Sequence, residues 1–512
     1  MRTVPLTRWV PRVEPRLSVV PLPLIGLYLL ALPVLLWRLE QTPAMWFDEG
    51  FRANQAYVLV TTGQYATASY DAVRPFDPAA GTGPADLLPI AATYALFGPG
   101  IWQSRLPSVA YALLALTGVY LLGRWFRSWQ TGLLAALLIL AAPTIGDTGF
   151  LWLGRQVMGE IPSVALVLLG LWLWFRSWEV ERSGRSLWRA SLPGLLVGLG
   201  LLSKTQGAFG LLPGLTLVVA ARVWRLRRSG LRRLAREVAP WVAIAIVMVG
   251  WQMLSRFSVD EARQTEYAAM LSVTVGTNLL TTLFGQTLST SAWAMVGFMV
   301  VVVLVSAGML ARRARAWQPR TWAQLTLTLI FAGHALWFAL VSIGWTRYAF
   351  SGWVLAWFLL GLGANALLRR PEFGAWPWRV ATLALVGAVI LGNVTRILAE
   401  PRLSQIETAA TYIRTNLPAD AVIESWEWEL DALTRRADYS RPGQADQMAA
   451  IRRMFYPSGG PESTYDVLRN DPDYLIIGRM AAFTQVYRAE VVAAEFDLMI
   501  RIGDYAIYRR QR

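Results

Sequence analysis

Cysteine is absent from this 512-residue chain, histidine occurs once, at His334, and lysine once, at Lys204. Without cysteine there are no disulfides, zinc–thiolate sites or iron–sulfur clusters. A lone histidine leaves little from which to build a metal cage or a Ser-His-Asp triad. There is no Walker loop and no GxGxxG between a strand and a helix, so ATP and dinucleotide binding lack a motif.

Apolar surface is what the chain has in excess. Hydrophobic residues make up 55% of it and 25 are Trp, more than a soluble fold could cover. A membrane-spanning helix needs about 20 mostly apolar residues. The sequence predicts about eleven, near 19–37, 105–123, 131–150, 160–175, 190–203, 206–224, 239–257, 291–311, 322–343, 347–368 and 379–398. Residues 1–18 carry Arg2, Arg8, Arg12 and Arg16 ahead of the first run. That run is long and lacks a small-x-small site before Arg38, so it reads as an uncleaved anchor with its N-terminus in the cytoplasm.

Charge sets the expected orientation. The net charge is +15, and with the N-terminus inside, 24 of the 34 Lys and Arg before residue 400 fall in inner segments. The positive-inside bias therefore fits this topology. "RVWRLRRSGLRRLARE" becomes a cytoplasmic loop facing anionic lipid, not a nucleic-acid patch. An odd number of spans leaves the C-terminus outside. The expected division is a transmembrane part, 1–400, with a first outer loop at 38–104, and a small extracytoplasmic α/β domain, 401–512. In the latter, "SQIETAATYIRTNLPADAVIES" and "STYDVLRNDPDYLIIG" each read as helix then strand, and "LMIRIGDYAIYRR" as a hairpin. Nothing in that domain looks catalytic.

On the outer side the chain places charge where charge is costly. "MWFDEGF" presses Asp48 and Glu49 between Trp46, Phe47 and Phe51 directly after the first span. "GFLWLGRQVMGEIP" brings Arg155 and Glu160, the polar break "LLSKTQGAFG" brings Lys204, and "GWTRYAF" brings Arg347 and Tyr348. The bland readings are a solvated turn for the acids, chance survival for Lys204, and snorkelling for Arg347. Arg105 has the same snorkelling reading, weighed against substrate contact. His334 reads as a packed, hydrogen-bonded residue.

In their order, spacing and common side these motifs resemble the polyprenyl-phosphate-dependent glycosyltransferases of the GT-C fold, the superfamily of protein O-mannosyltransferases and lipid A aminoarabinose transferases. "GPGIWQSRLPSVAYALLALTGVYLLGR" belongs to the same pattern. The resemblance implies a membrane glycosyltransferase with a polyprenyl-phosphate-linked sugar donor and an extracytoplasmic glycan, lipid or protein acceptor; the basic anchored N-terminus, without an ER signal, suits a plasma membrane. It makes Asp48 the general base and Glu49 the neighbour that shapes the site. Lys204 and Arg347 fall where cations hold the lipid phosphate, with Tyr348, Arg155, Glu160 and Arg105 as further substrate-binding candidates. Some relatives use a metal or an outer-loop His motif; this chain has no such His, so a divalent metal has no support. The alternatives are a flippase or transporter and a polysaccharide polymerase or ligase, with a non-catalytic scaffold behind them. Charges at the outer rim rather than the midplane argue against transport, and the early Asp-Glu pair argues against a polymerase.

Overall fold

The computed structural model describes residues 21–75, 83–145, 148–179, 186–228, 230–257, 290–313, 317–342, 344–369, 376–400 and 404–512. Within the last stretch 437, 444–445, 448, 451–452 and 454–462 are excepted. The basic N-terminal segment expected to act as an anchor signal lies outside the described residues.

Each apolar run read from the sequence carries a helix. In chain order the elements are α1 Leu22–Leu36, α2 Phe47–Thr62, β1 Ala66–Ala68, β2 Val73–Pro75, α3 Pro84–Phe97, α4 Ile101–Phe126, α5 Trp129–Ala141, α6 Phe150–Leu153, α7 Glu160–Ser177, α8 Leu187–Ser203, α9 Ala208–Leu226 and α10 Leu231–Phe257. They continue with α11 Thr290–Arg313, α12 Pro319–Leu340, α13 Phe350–Leu368 and α14 Trp376–Leu398. Eight helices among the described residues are long and apolar enough to cross a membrane; α1, α3, α5 and α8 are apolar but shorter. The run expected to reach residue 150 stops at Ala141, two residues before Pro143, because proline disfavours helix in the residue before it.

Side-chain ties gather alternate helix ends into two layers. At one end Arg105 binds Glu49, Arg155 binds Thr42, Asn393 donates to the carbonyls of Leu140 and Ala142, and Arg38 donates to the carbonyl of Glu400. At the other, Trp125 and Arg320 meet Glu179, Arg369 meets Ser128, and Arg222 pairs with Glu237. Between them the helices pack closely. A Cβ at Gly210 of α9 would press on the backbone of Ile330 and His334 in α12, and small residues allow such approach where lipid supplies no hydrophobic drive.

The segment expected as a first outer loop, 38–104, is not a plain loop. It holds α2, the β1–β2 hairpin and α3. Beyond the bundle come α15 Gln405–Asn416, β3 Ile423–Ser425, α16 Glu429–Thr434, β4 Tyr474–Ile477, α17 Arg479–Thr484, α18 Ala489–Glu495, β5 Phe496–Ile502 and β6 Tyr505–Arg510. The sheet order is β3-β4-β6-β5, with β3 parallel to β4 and the other pairs antiparallel. Ser404 and Glu407 form a capping box that starts α15, and Gly503, with φ +58°, turns the β5–β6 hairpin. The helix expected in "STYDVLRN" is instead a turn at 467–470, set by Asp466 accepting from the Leu468 amide at 3.0 Å.

This sheet domain grips α2. Phe47 meets Trp426 edge-on, Phe51 meets Trp428 with ring centroids 4.9 Å apart, and Asn54 donates to Asp431 at 2.6 Å. A Cβ at Gly50 would overlap the Trp428 carbonyl and the Glu429 amide. The apolar residues around Asp48 and Glu49 are there because α2 lies between the bundle and the sheet domain.

Candidate active site

Asp48 lies in the first turn of α2 with its side chain 28% exposed, and its Oδ2 is 2.6 Å from Nη1 of Arg347. Arg347 comes from a tight turn, Thr346–Ala349, that leads into α13. Its guanidinium lies over the rings of Trp345 and Tyr348. Lys204 caps the C-terminal end of α8, where a turn at Thr205–Gly207 separates α8 from α9. Its Nζ is 2.7 Å from Glu160 Oε1 and 5.1 Å from the centre of the Tyr348 ring. Glu160 opens α7. Two ion pairs from four separate segments thus share one aromatic ring, Tyr348. His334 holds that turn from below, its Nε2 3.1 Å from the Tyr348 carbonyl.

Burial by itself would raise the Asp48 pKa. The Arg347 guanidinium, with Arg52 and Lys204 behind it, more than offsets this and holds the carboxyl below its usual value. Asp48 is therefore ionised at neutral pH and able to accept a proton.

Glu49 has different surroundings. It is fully buried, and its two oxygens take Nε and Nη2 of Arg105 at 3.0 and 2.9 Å while the Val157 amide donates to Oε2 at 2.9 Å. Arg105 is sealed in this bidentate pair and is not exposed at all, so it does not snorkel to the lipid interface. Arg155 does not pair with Glu160. It turns back to the Trp37 carbonyl and to Thr42 Oγ1, fastening the link between α1 and α2; Glu160 takes Lys204 instead.

Two charged residues of the cluster were missed in the sequence. Arg52 lies one helical turn after Asp48, with Nε 3.0 Å from Asp86 Oδ2 and Nη1 donating to the carbonyls of Asp48 and Val157. The i, i+4 spacing of Asp48 and Arg52 was the available signal. Asp86, in the first turn of α3 after Pro84, had none beyond being an acid beside an apolar run. Among the described residues no three His, Asp or Glu side chains come together as a metal site requires.

Beside Arg347 opens a cavity of about 440 Å³. Residues 44–47 and 345–347 line one side, and Ser404, Gln405, Glu427, Glu429, Met480, Phe483 and Tyr505 of the sheet domain line the other. The domain that seemed to lack chemistry supplies half of this wall.

Residues 83–251 match the family described as dolichyl-phosphate-mannose-protein mannosyltransferase. No curated protein sequence matches the chain. The ArnT structure from Cupriavidus metallidurans in the apo state is similar at 16% identity and TM-score 0.62, covering 94% of this chain and 97% of that one. The same protein bound to undecaprenyl phosphate aligns at TM-score 0.61, again at 16% identity and with the same coverage. The oligosaccharyltransferase AglB from Archaeoglobus fulgidus, in complex with an inhibitory peptide and a dolichol-phosphate, aligns at TM-score 0.53 and 15% identity over 96% of this chain and 74% of that one. The chain has the GT-C fold of these membrane proteins, and residues 83–251, within its first half, match the mannosyltransferase family.

Proposed function

We propose that this chain is an integral-membrane glycosyltransferase that moves a sugar from a polyprenyl-phosphate donor to a hydroxyl acceptor on the extracytoplasmic side. The observation that carries this reading is the cluster in which Asp48–Arg347 and Glu160–Lys204 meet around Tyr348. ArnT, the structural neighbour solved with undecaprenyl phosphate, supports the donor class, and the family match supports the transfer of a sugar.

Each residue then has a task. Lys204 and Arg347 receive the phosphate, and their fixed charge stabilises the negative charge that gathers there as the sugar leaves. Arg347 has donors enough to hold Asp48 and a phosphate oxygen together. The acceptor oxygen attacks the anomeric carbon as the carbon–oxygen bond to phosphate breaks. Asp48 takes the acceptor's proton, and polyprenyl phosphate departs with the bonding electrons. One displacement with no covalent intermediate inverts the anomeric centre. Glu49 and Arg105 fix the start of α2, and Arg52 with Asp86 fixes its underside. The basic layer at the opposite end of the bundle supports a cytoplasmic position for that end and an outer one for the site.

The test is mass spectrometry of lipid copurified with the protein. A polyprenyl phosphate, or its sugar ester, is the expected species. Ordinary phospholipid alone, with no polyprenyl phosphate retained after its addition, would overturn the reading.

A further inference from the structure

Arginine is not spread evenly over the end of the bundle opposite the site. Arg320 pairs with Glu179 there, and Arg369 is held by Ser128 and Gln130. The stretch from Arg222 to Glu237 is different: it carries seven arginines and one acid. That acid is already taken, since Glu237 accepts from Nε and Nη2 of Arg222 together. Arg225, Arg227, Arg228, Arg232 and Arg233 are exposed. A basic end is what the positive-inside bias predicts; this density of exposed arginine goes beyond it.

Packing gathers these side chains into one corner. Helix α9 ends and α10 begins on either side of Gly230, whose φ of +93° lets the chain reverse, and the Arg222–Glu237 pair ties the two helices there. Helix α8 lies along α10 in parallel: a Cβ at Gly194 would overlap the Pro240 carbonyl, and one at Gly198 would press on Val247. About two turns earlier on both helices, Leu187 and Trp188 of α8 stand level with Arg232 and Arg233 of α10. Four large apolar side chains, Leu187, Trp188, Trp224 and Leu231, are exposed among the arginines. The Arg227 guanidinium lies over the Trp224 ring, 4.1 Å from its centre, and that of Arg189 over Trp188 at 5.5 Å.

Exposed guanidiniums without acids call for an anion, and their planar forks match phosphate oxygens two at a time. The apolar surface says what carries the phosphate. It continues along the same helices through Leu192 and Leu195 of α8 and Leu217 of α9, all exposed. Tryptophan and arginine at the end of such a surface stand at the level of lipid headgroups. We infer that the corner formed by α8, α9 and α10 binds an anionic phospholipid of the adjoining leaflet. Five exposed arginines offer more donors than one phosphate accepts, so the favoured headgroup carries two phosphates. This site is separate from the donor lipid proposed at Lys204 and Arg347, which stand at the other end of the bundle, and does not rest on the glycosyltransferase reading.

Native mass spectrometry of the full chain in neutral detergent tests it, with cardiolipin, phosphatidylglycerol at equal phosphate, and phosphatidylcholine as probes. Cardiolipin should bind more tightly than phosphatidylglycerol, and phosphatidylcholine hardly at all. Arg228→Gln and Arg232→Gln should each weaken cardiolipin about 5-fold, the worth of one arginine at a charged lipid surface. Trp224→Ala should weaken it too. Arg379→Gln is the control: Arg379 is exposed at the start of α14, whose far end reaches Arg38 through Glu400, so it shares this end of the bundle but not the corner. Its loss should change nothing. All four side chains are exposed, so each variant should keep the wild-type Tm without lipid. Cardiolipin binding indifferent to both Arg228→Gln and Arg232→Gln, or weakened as much by Arg379→Gln, would overturn the inference. So would equal binding of phosphatidylcholine, or release of cardiolipin by an equal concentration of pyrophosphate or of a single-stranded oligonucleotide. Phosphatidylglycerol bound as tightly as cardiolipin would overturn the preference for two phosphates.

Discussion

Asp48 is partly exposed and bonded to one arginine, whereas Glu49 is sealed between Arg105 and the Val157 amide. Their substitutions should therefore fail in different ways. Asp48→Asn removes the base and should slow sugar transfer about 100-fold or more, with unfolding in detergent near that of wild type. Glu49→Gln leaves Arg105 buried without its counter-charge and should cost about 3–5 kcal/mol of stability, seen as a lowered Tm. A stable, slow Glu49→Gln or an active Asp48→Asn would reverse these roles. A third acid tests the sheet domain. Glu424 is buried against the hydroxyls of Ser440, Tyr465 and Tyr487, and burial pushes it up to about 7. Between its ordinary value of 4.5 and about 7 the folded state holds a proton that the unfolded state has lost. Raising pH through that window thus destabilises the fold, by about 3 kcal/mol at most, and the effect is flat above it. The Tm should be higher at pH 5 than at pH 8. Glu424→Gln should flatten, though not abolish, that slope, since Asp431 is also raised, to about 6. An unchanged slope in Glu424→Gln would contradict the assignment.

Helix α2 carries the proposed base, and both the bundle and the sheet domain hold it. Gly50 faces the Trp428 and Glu429 backbone without room for a Cβ. Gly50→Val should therefore push α2 off the sheet domain at a cost of about 1–3 kcal/mol. Transfer should drop while undecaprenyl-phosphate affinity holds, because Lys204 and Arg347 stand on other elements. Loss of both together would place the donor site on α2 instead. Much of this architecture was legible in the chain. Apolar runs of spanning length located the helices, and the Lys204 break and the Asp48–Glu49 pair stood out because charge beside lipid is costly. Partnerships were not legible. Nothing in "GRQVMGEIP" says that Glu160 turns to Lys204, 44 positions on, or that Arg155 turns back to Thr42, since the bundle's packing decides both. The cavity was hidden for the same reason: its walls lie about 400 residues apart in sequence, and Trp426 and Trp428 read only as apolar until α2 is seen against them.

At the scale of the whole molecule, charge separates the two ends of the bundle, with the ion-pair cluster and sheet domain at one and the arginine-rich loops at the other. The absence of cysteine makes the orientation directly testable. A cysteine introduced at Gln64 or Gln511 should label from outside intact cells, and one at Ser186 should be protected; labelling at Ser186 would invert the molecule. The account's central claim is that Lys204 and Arg347, remote in sequence, hold one lipid phosphate. Its most direct test is the affinity for undecaprenyl phosphate in nanodiscs of wild type, Lys204→Gln, Arg347→Gln and the double variant. Each single change removes a charge-assisted contact and should weaken binding about 10-fold. The double change should cost less than the product of the two, because both cations act on one ligand. Lys204→Arg should also bind less well, since a planar fork does not replace a compact ammonium beside Glu160. Unchanged affinity in both single variants would contradict the account.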